Sequence, residues 1–227
     1  PKGDISHVLT QQQGQIHADL FIDCTGVKSL LLGEKLAVPF INQKHVLFND
    51  SALAIQVPYA EDNSPIASCT HSTAQTHGWI WDIGLQHRRG VGAVFSSAHA
   101  SAESIEPQLD TYLKGSGYAP GLSEFEPLLI RFDPGYRASF WHKNCVAVGL
   151  SAGFIEPLEA SALVLVELSA RSIAQQFPKT RQQMDTVAQR FNAEFLQRWE
   201  QIIEFLKLHY VLSQRDDSAY WIEHRQA

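Results

Sequence analysis

The sequence has little cysteine or methionine and no long apolar run. Its 227 residues include three cysteines and one methionine. No apolar run approaches the roughly eighteen residues of a transmembrane helix, and no basic leader precedes a hydrophobic segment. We therefore expect neither a membrane span nor a signal peptide, and we expect a cytoplasmic protein.

Clustered positive charge and metal-ligand spacings are also missing. The net charge is −6 and no run of lysine and arginine forms a stripe, which argues against nucleic acid as a partner. Cys24, Cys69 and Cys145 are widely spaced in apolar, strand-like contexts, so we predict three buried thiols in a reducing compartment. No cysteine and histidine spacing is typical of zinc, and no metal is expected.

The sequence also lacks the Gly-x-Gly-x-x-Gly loop that cradles a dinucleotide pyrophosphate. In addition, residues 3–10 resemble one arm of a hairpin whose other arm leads past Gly14 into residues 20–25. We interpret the chain as starting in mid-fold and as the C-terminal half of a longer protein.

What is present predicts an α+β fold. Segments rich in β-branched and aromatic residues, separated by turn residues, predict an antiparallel sheet; they are 52–59, 67–73, 79–85 and 92–97, followed by 128–132, 136–140 and 145–148. Helical spacing is predicted at 29–36, 102–114, 161–177 and 181–212. The last helix carries an apolar stripe at Met184, Val187, Phe191, Phe195, Trp199, Ile202 and Leu206. That stripe either packs inside the monomer or contacts a second copy in a homodimer.

Residues 144–159 are the most informative segment. A strand of apolar residues runs into small residues beginning at Gly149, and a Glu-Pro-Leu-Glu corner then opens an amphipathic helix. Glycine lets a backbone approach a ligand closely, and the amides at a helix start attract anions. Glu156 and Glu159 add carboxylates for acid–base chemistry. The same pattern also connects ordinary α/β units, and the macrodipole alone favours glutamate there.

Two motifs resemble those of the flavin-dependent tryptophan halogenase family. Residues 149–159 read Gly-Leu-Ser-Ala-Gly-Phe-Ile-Glu-Pro-Leu-Glu, which is similar to the family's flavin-contacting segment and catalytic glutamate. Trp79 and Trp81 lie in a segment similar to its Trp-x-Trp-x-Ile-Pro motif, with Gly84 in place of proline. Residues 18–26 and 209–221 resemble the family's FAD-side strand and its C-terminal substrate segment, so the likeness spans nearly the whole chain.

The resemblance implies part of an FAD/NAD(P)-binding-like flavoprotein fold. Residues 1–26 would end the FAD-binding part, 27–148 would form the substrate-side sheet, 149–163 the flavin and halide turn, and 164–227 a helical region. The family's phosphate loop and catalytic lysine would lie in an N-terminal half, so we expect the isolated fragment to be inactive.

The resemblance also implies a reaction. Reduced FAD, supplied by a separate flavin reductase, would react with oxygen to a flavin hydroperoxide, which chloride or bromide attacks to give hypohalous acid. This oxidant would halogenate an aromatic, indole-like substrate beside Glu159, the expected catalytic residue. The implied flavin contacts are Gly26, Gly149, Ser151, Ala152, Gly153 and Phe154. Ser161 and Ala162 would bind the halide, and Ala160 replaces a serine of the family.

The substrate-side positions depart further from the family. His209, Tyr210, Asp216 and Trp221 match residues that hold an amino acid and stack its indole, but His209 replaces a tyrosine and Asp216 a glutamate. We therefore expect an indole or phenol without the amino-acid group rather than free tryptophan. Simple packing is an open alternative for His209, Asp216 and Trp221. Two other functions stay open: an aromatic hydroxylase that uses flavin, and a non-catalytic module derived from such an enzyme.

Overall fold

The computed structural model describes residues 3–59, 61, 63–118 and 120–227. Its strands are β1 His7–Thr10, β2 Gly14–His17, β3 Phe21–Asp23, β4 Phe40–Asn42, β5 Ser51–Pro58, β6 His71–Gln75, β7 Gly78–Gly84, β8 Arg88–Phe95, β9 Leu128–Arg131, β10 Gly135–Arg137, β11 Trp141–His142, β12 Cys145–Ala147 and β13 Gly153–Phe154. Its α-helices are α1 Ala102–Gly115, α2 Ser161–Gln175, α3 Arg181–Val211 and α4 Ala219–Gln226. The α+β prediction is confirmed.

The chain divides into two compact units, each made of two segments. The first comprises Pro1–Gln43 and Gly135–Leu206, and the second comprises Lys44–Pro134 and Lys207–Ala227. Within the described residues, no helix combines the length and the apolar character that crossing a membrane requires.

The first unit holds three small sheets. Strands β1 and β2 form the predicted hairpin. Strand β10 lies between β13 and β4, both antiparallel to it, and β12 lies between β11 and β3. The β12–β3 pair is parallel, whereas β11–β12 is antiparallel. Because β3 and β12 are parallel, their carboxyl ends lie at the same edge.

The aromatic stripe of α3 packs inside the first unit. Phe191 and Phe195 stack at 4.2 Å between ring centroids, and Trp199 lies parallel to Phe140 at 6.2 Å. Five of the seven predicted stripe positions are buried, but Val187 and Ile202 are only half-buried. Ala188 and Ile203 are buried instead, each one position further along the helix.

The second unit is built on a five-stranded antiparallel sheet in the order β6-β7-β8-β5-β9. One face of this sheet packs against α1, whose Ile105, Leu109 and Leu113 recur at helical spacing. The predicted antiparallel sheet and the helix at 102–114 are thus confirmed. The sequence did not predict α4, and residues 30–35 form a short π-helical turn rather than an α-helix.

The prediction of three buried thiols is wrong for two of them. Cys24 and Cys69 are exposed, and only Cys145 is buried. Strand β3 ends at Asp23 and β6 begins only at His71, so both exposed cysteines lie outside the strands assumed to bury them. Burial raises the pKa of the Cys145 thiol to about 12, which leaves it protonated and unreactive.

The two tryptophans of the Trp-x-Trp motif lie on one face of β7. Trp79 is buried and Trp81 half-buried, and their rings are 6.3 Å apart in an edge-on arrangement. Trp81 is paired with Gly92 on β8. A Cβ atom at Gly92 would lie 2.2 Å from Trp81 Cζ2 and 2.6 Å from the carbonyl oxygen of Leu53. The tryptophan ring therefore occupies the space that the missing side chain leaves.

We expect Gly92→Ala to destabilise the protein by about 1–3 kcal/mol, since the added methyl group overpacks a site bounded by backbone. Gly90→Ala is the matched control on the same strand, because a Cβ at Gly90 meets nothing within 4 Å. Urea unfolding with an unchanged m-value measures both. Equal midpoints for the two variants would contradict the packing argument.

Candidate active site

The site begins at one edge of a parallel strand pair. Strands β3 and β12 are in register from Phe21 opposite Cys145 to Asp23 opposite Ala147, so both end at the same edge. Ligands of open α/β sheets bind outside the carboxyl ends of such strands. The chain turns at Gly26 just after β3 and at Gly149 just after β12.

Both turns require glycine. Gly26 has φ 75° and Gly149 has φ 72°, a left-handed conformation that disfavours a side chain. No atom lies within 4 Å of the position that a Cβ of Gly26 would take. The backbone of this turn is therefore open to a ligand from one side.

A fully buried carboxylate fixes the first turn. Asp23 Oδ1 accepts hydrogen bonds from the Thr25 amide at 3.0 Å and the Thr25 hydroxyl at 2.6 Å. Its Oδ2 accepts from the amides of Leu31 at 3.0 Å and Leu32 at 2.8 Å, with the Ser29 hydroxyl at 3.4 Å. Burial by itself raises the pKa of Asp23, but the hydrogen bonds from Thr25, Leu32 and Leu31 outweigh it and lower the pKa below 3.8.

Ser151 joins the two turns. Its hydroxyl lies within hydrogen-bond distance of the carbonyl oxygens of Asp23 and Val148, the latter at 2.9 Å. The Val148 amide also donates to the Asp23 carbonyl at 3.0 Å. Ser151 is one of the predicted flavin contacts, and its side chain links the ends of β3 and β12.

The other predicted flavin contacts differ in access. Ala152 and Gly153 are buried, and a Cβ at Gly153 would lie 2.5 Å from the Gly135 carbonyl oxygen. Gly26, Gly149 and Phe154 are half-buried. These three are the more accessible of the predicted flavin contacts.

Exposed apolar side chains lie in β3, in the turns after β3 and β12, and in α2. Val27 is 67% exposed and Leu163 is 75% exposed; Ile22, Leu30, Leu150 and Val164 are exposed as well. A mostly apolar cavity of about 200 Å³ also opens here; its lining includes Gly149, Leu150, Ala162, Val166, Phe191 and Trp199. The open glycine and these side chains suit a flat aromatic ring, whereas the sequence has no loop for a pyrophosphate. The residues present therefore fit the ring portion of a flavin.

Glu159 lies on a strained turn. It has φ 60° and ψ 11°, and Ala160 follows with φ 50° and ψ 26°. Two consecutive non-glycine residues in the left-handed region cost about 1–2 kcal/mol each. The buried Leu158 side chain and the hydrogen bond from the Ala160 amide to the Pro157 carbonyl at 3.1 Å hold the turn. Such strain is typical of functional sites, and both residues are exposed.

Helix α2 starts directly after this turn. Its N-cap residue is Ala160, which has no side-chain oxygen to accept from the first amides of the helix. Ser161 and Ala162, the predicted halide ligands, are half-buried at that helix start. The positive end of the helix dipole thus lies next to Glu159 in the sequence and favours an anion.

The predicted substrate residues belong to the second unit. Tyr210 is 2% exposed, and its hydroxyl accepts from Asn49 Nδ2 at 2.9 Å. Trp221 is 4% exposed, and its Nε1 donates to the Gln75 carbonyl at 2.8 Å. The rings of Tyr210 and Trp221 are 5.9 Å apart. His209 and Asp216 are exposed.

The sequence analysis did not predict that His224 and Lys207 form a buried pair near Tyr210. The fully buried His224 stacks on Tyr210 at 4.1 Å. Burial, followed by the charges of Lys207 and His99, lowers the pKa of His224 to about 3 and keeps it neutral. Burial also lowers the pKa of the Lys207 amine, which donates to the Val46 carbonyl at 3.1 Å. The four-residue spacing of Tyr220 and His224 was the available signal, since it places both on one helix face.

Replacing Asp23 with asparagine tests the role of the first turn. We expect a loss of about 1–3 kcal/mol in the free energy of unfolding at neutral pH, because an amide NH₂ replaces an acceptor among buried donors. The folded-state pKa lies below the unfolded value, so the wild-type advantage is complete above the unfolded pKa. It is lost as the pH falls through the folded-state pKa.

The difference between the variant and the wild type should therefore shrink between about pH 5 and pH 2 in urea unfolding measured against pH. Asp19→Asn is the control, since Asp19 is exposed. A difference that stays constant across this range would refute the account.

Comparisons with known proteins identify the family of this chain. The model of the tryptophan halogenase family matches residues 1–227. The chain is 37% identical over 220 residues to the 7-chloro-L-tryptophan 6-halogenase KtzR of Kutzneria sp. (strain 744), covering 97% of this chain and 42% of the relative.

Solved structures give the same result. A tryptophan halogenase from Shewanella frigidimarina NCIMB 400 is 58% identical with a TM-score of 0.94, over 98% of this chain and 42% of that one. BrvH, a flavin-dependent halogenase from Brevundimonas sp. BAL3, is 34% identical with a TM-score of 0.82, over 97% of this chain and 46% of that one. The chain thus spans about two fifths of the length of the curated relatives it matches. It belongs to the tryptophan halogenase family.

Proposed function

We propose that the complete protein containing this chain halogenates an aromatic, indole-like substrate with FAD as cofactor, and that Glu159 is its catalytic carboxylate. The observation that carries the proposal is the strained, exposed turn at Glu159. It lies in the chain between the open glycine edge and an uncapped helix start. A carboxylate, a ring surface and an anion-favouring helix end are the three features that the chemistry requires.

Gly26, Gly149 and Phe154 would contact the flavin ring, and the exposed Ile22 and Val27 would cover its apolar part. The chemistry that a bound reduced flavin supplies is the oxidation of halide to hypohalous acid by oxygen. A separate flavin reductase would deliver the reduced cofactor. The phosphate-binding loop would come from the part of the protein outside this chain, and the fragment alone would be inactive.

The halide, chloride or bromide, would bind the amides of Ser161 and Ala162 at the start of α2. Backbone donors do not depend on side-chain identity, so the alanine at position 160 leaves them in place. The same alanine removes a hydroxyl next to Glu159. Halide affinity would then come from the helix end alone.

Glu159 would act on the substrate. Attack of an electrophilic halogen on an aromatic ring leaves a cationic ring intermediate, which a nearby carboxylate stabilises. The same carboxylate can accept the ring proton and restore aromaticity. Holding Glu159 in a left-handed conformation fixes the direction of its side chain and limits the reorganisation needed during the reaction.

On the substrate side we propose His209, Tyr210, Asp216 and Trp221. The relatives include enzymes named for tryptophan. The shorter Asp216 and the histidine at 209 change the groups available for an amino-acid zwitterion, so an indole or phenol without that group is the proposed substrate. The Tyr210 hydroxyl already accepts a hydrogen bond from Asn49, so we propose that Tyr210 supports the substrate-side residues.

We expect Glu159→Gln in the complete protein to reduce halogenation at least about 10²-fold while flavin binding is unchanged, because the amide neither accepts the proton nor stabilises a cation. The assay contains FAD, a flavin reductase, NADH, bromide or chloride and an indole panel, with products identified by mass. Glu167→Gln, at an exposed position of α2, is the control.

Retained halogenation in the Glu159 variant would remove this residue from the mechanism. A wild-type product that carries oxygen instead of halogen would identify a hydroxylase. Consumption of reduced FAD without any modified indole would contradict both activities. Sequencing the upstream reading frame tests the non-catalytic alternative, because a gene limited to these residues would lack the phosphate loop.

A further inference from the structure

Trp221 has no free face in this structure. The residue is only 4% exposed, although a stacking platform for a substrate must be accessible. Tyr220 lies edge-on to it at 5.2 Å and Tyr210 lies at 5.9 Å. The guanidinium carbon of Arg215 lies 5.4 Å from the ring centroid and covers it as a cation–π contact.

Arg215 is held over the ring by contacts that are partly open to solvent. Its Nε and Nη2 donate to the two carboxylate oxygens of Asp217 at 3.0 and 2.5 Å, and its Nη1 lies 3.4 Å from the Ala74 carbonyl oxygen. The side chain of Arg215 is 35% exposed and that of Asp217 is 42% exposed. This ion pair is bidentate, but both partners are partly exposed and screened by solvent, so it opens at a lower cost than the buried contacts around Trp221.

The other neighbours of Trp221 are fixed more firmly. Its Nε1 is bound to the Gln75 carbonyl, and Ser218 donates to the Thr76 carbonyl at 2.5 Å, which ties the start of α4 to the turn between β6 and β7. Tyr220 is fully buried, and its hydroxyl donates to Asn49 Oδ1 at 3.1 Å. Arg215 is therefore the neighbour of Trp221 that moves most easily.

We infer that Arg215 determines specificity by occupying the stacking position on Trp221, from which an aromatic substrate displaces it. This inference rests on the proposed function, in which Trp221 stacks the substrate. A flat, electron-rich ring replaces a flat cation and restores the lost contact, whereas an aliphatic molecule does not. Arg215 thus filters for planar aromatic substrates and shields Trp221 from solvent when none is bound.

The test is Arg215→Ala in the complete protein, with indole as the probe. Removing the competing guanidinium should tighten indole binding about threefold to tenfold and lower KM by the same factor, with kcat unchanged. Acrylamide quenching of tryptophan fluorescence should increase, because Trp221 becomes accessible. Arg225→Ala removes an equal charge from α4 and should change none of these quantities.

Indole affinity is measured by ligand-observed NMR without turnover, which separates the two proposals. Halogenation by the wild type with unchanged or weaker indole binding in Arg215→Ala would overturn the role of Arg215 alone. Tighter indole binding by Arg215→Ala, together with no halogenation by the wild type, would contradict the proposed activity but support the role of Arg215. An equal increase in indole affinity in Arg225→Ala would show that the effect comes from net charge, and it would overturn the inference.

Discussion

The buried carboxylate of Asp23 is the interaction on which the candidate site depends. Removing an ionised carboxylate from water costs several kcal/mol, and hydrogen bonds to a charged group contribute about 1.5–3 kcal/mol each. Several donors are therefore needed, and the turn supplies them from Thr25, Ser29, Leu31 and Leu32. These hydrogen bonds hold the segment after β3 around the Asp23 carboxylate, and Gly26 remains accessible.

The backbone at Glu159 and Ala160 is strained, in addition to the well-bonded turn around Asp23. A left-handed pair of non-glycine residues persists only where the surroundings fix it, and here the buried Leu158 precedes it and α2 follows it. Glycine at 160 would adopt this conformation easily but would also let it relax. The combination of a rigid edge, a strained carboxylate and an uncapped helix start gives the first unit its chemical character.

Much of the fold could be predicted from the sequence because its signals are local. Strands β5, β7 and β8 and helices α1, α2 and α3 follow from apolar periodicity and turn residues. Three short elements were not predicted: the two-residue strands β11 and β13 and the helix α4. Elements this short contain too few residues to show an apolar periodicity. The two exposed cysteines were misjudged for a different reason, because strand ends are set by pairing partners distant in the chain.

The sequence by itself determined the family motifs, the glycine turns and the carboxylate at position 159, because motifs depend on residue identity and spacing. Only the tertiary structure decided how these residues are used. In the folded chain the Ser151 hydroxyl links two turns, the Trp81 ring lies over Gly92, and Arg215 covers Trp221. Burial, hydrogen-bond partners and backbone strain arise from segments brought together by folding, and no spacing along the chain encodes them.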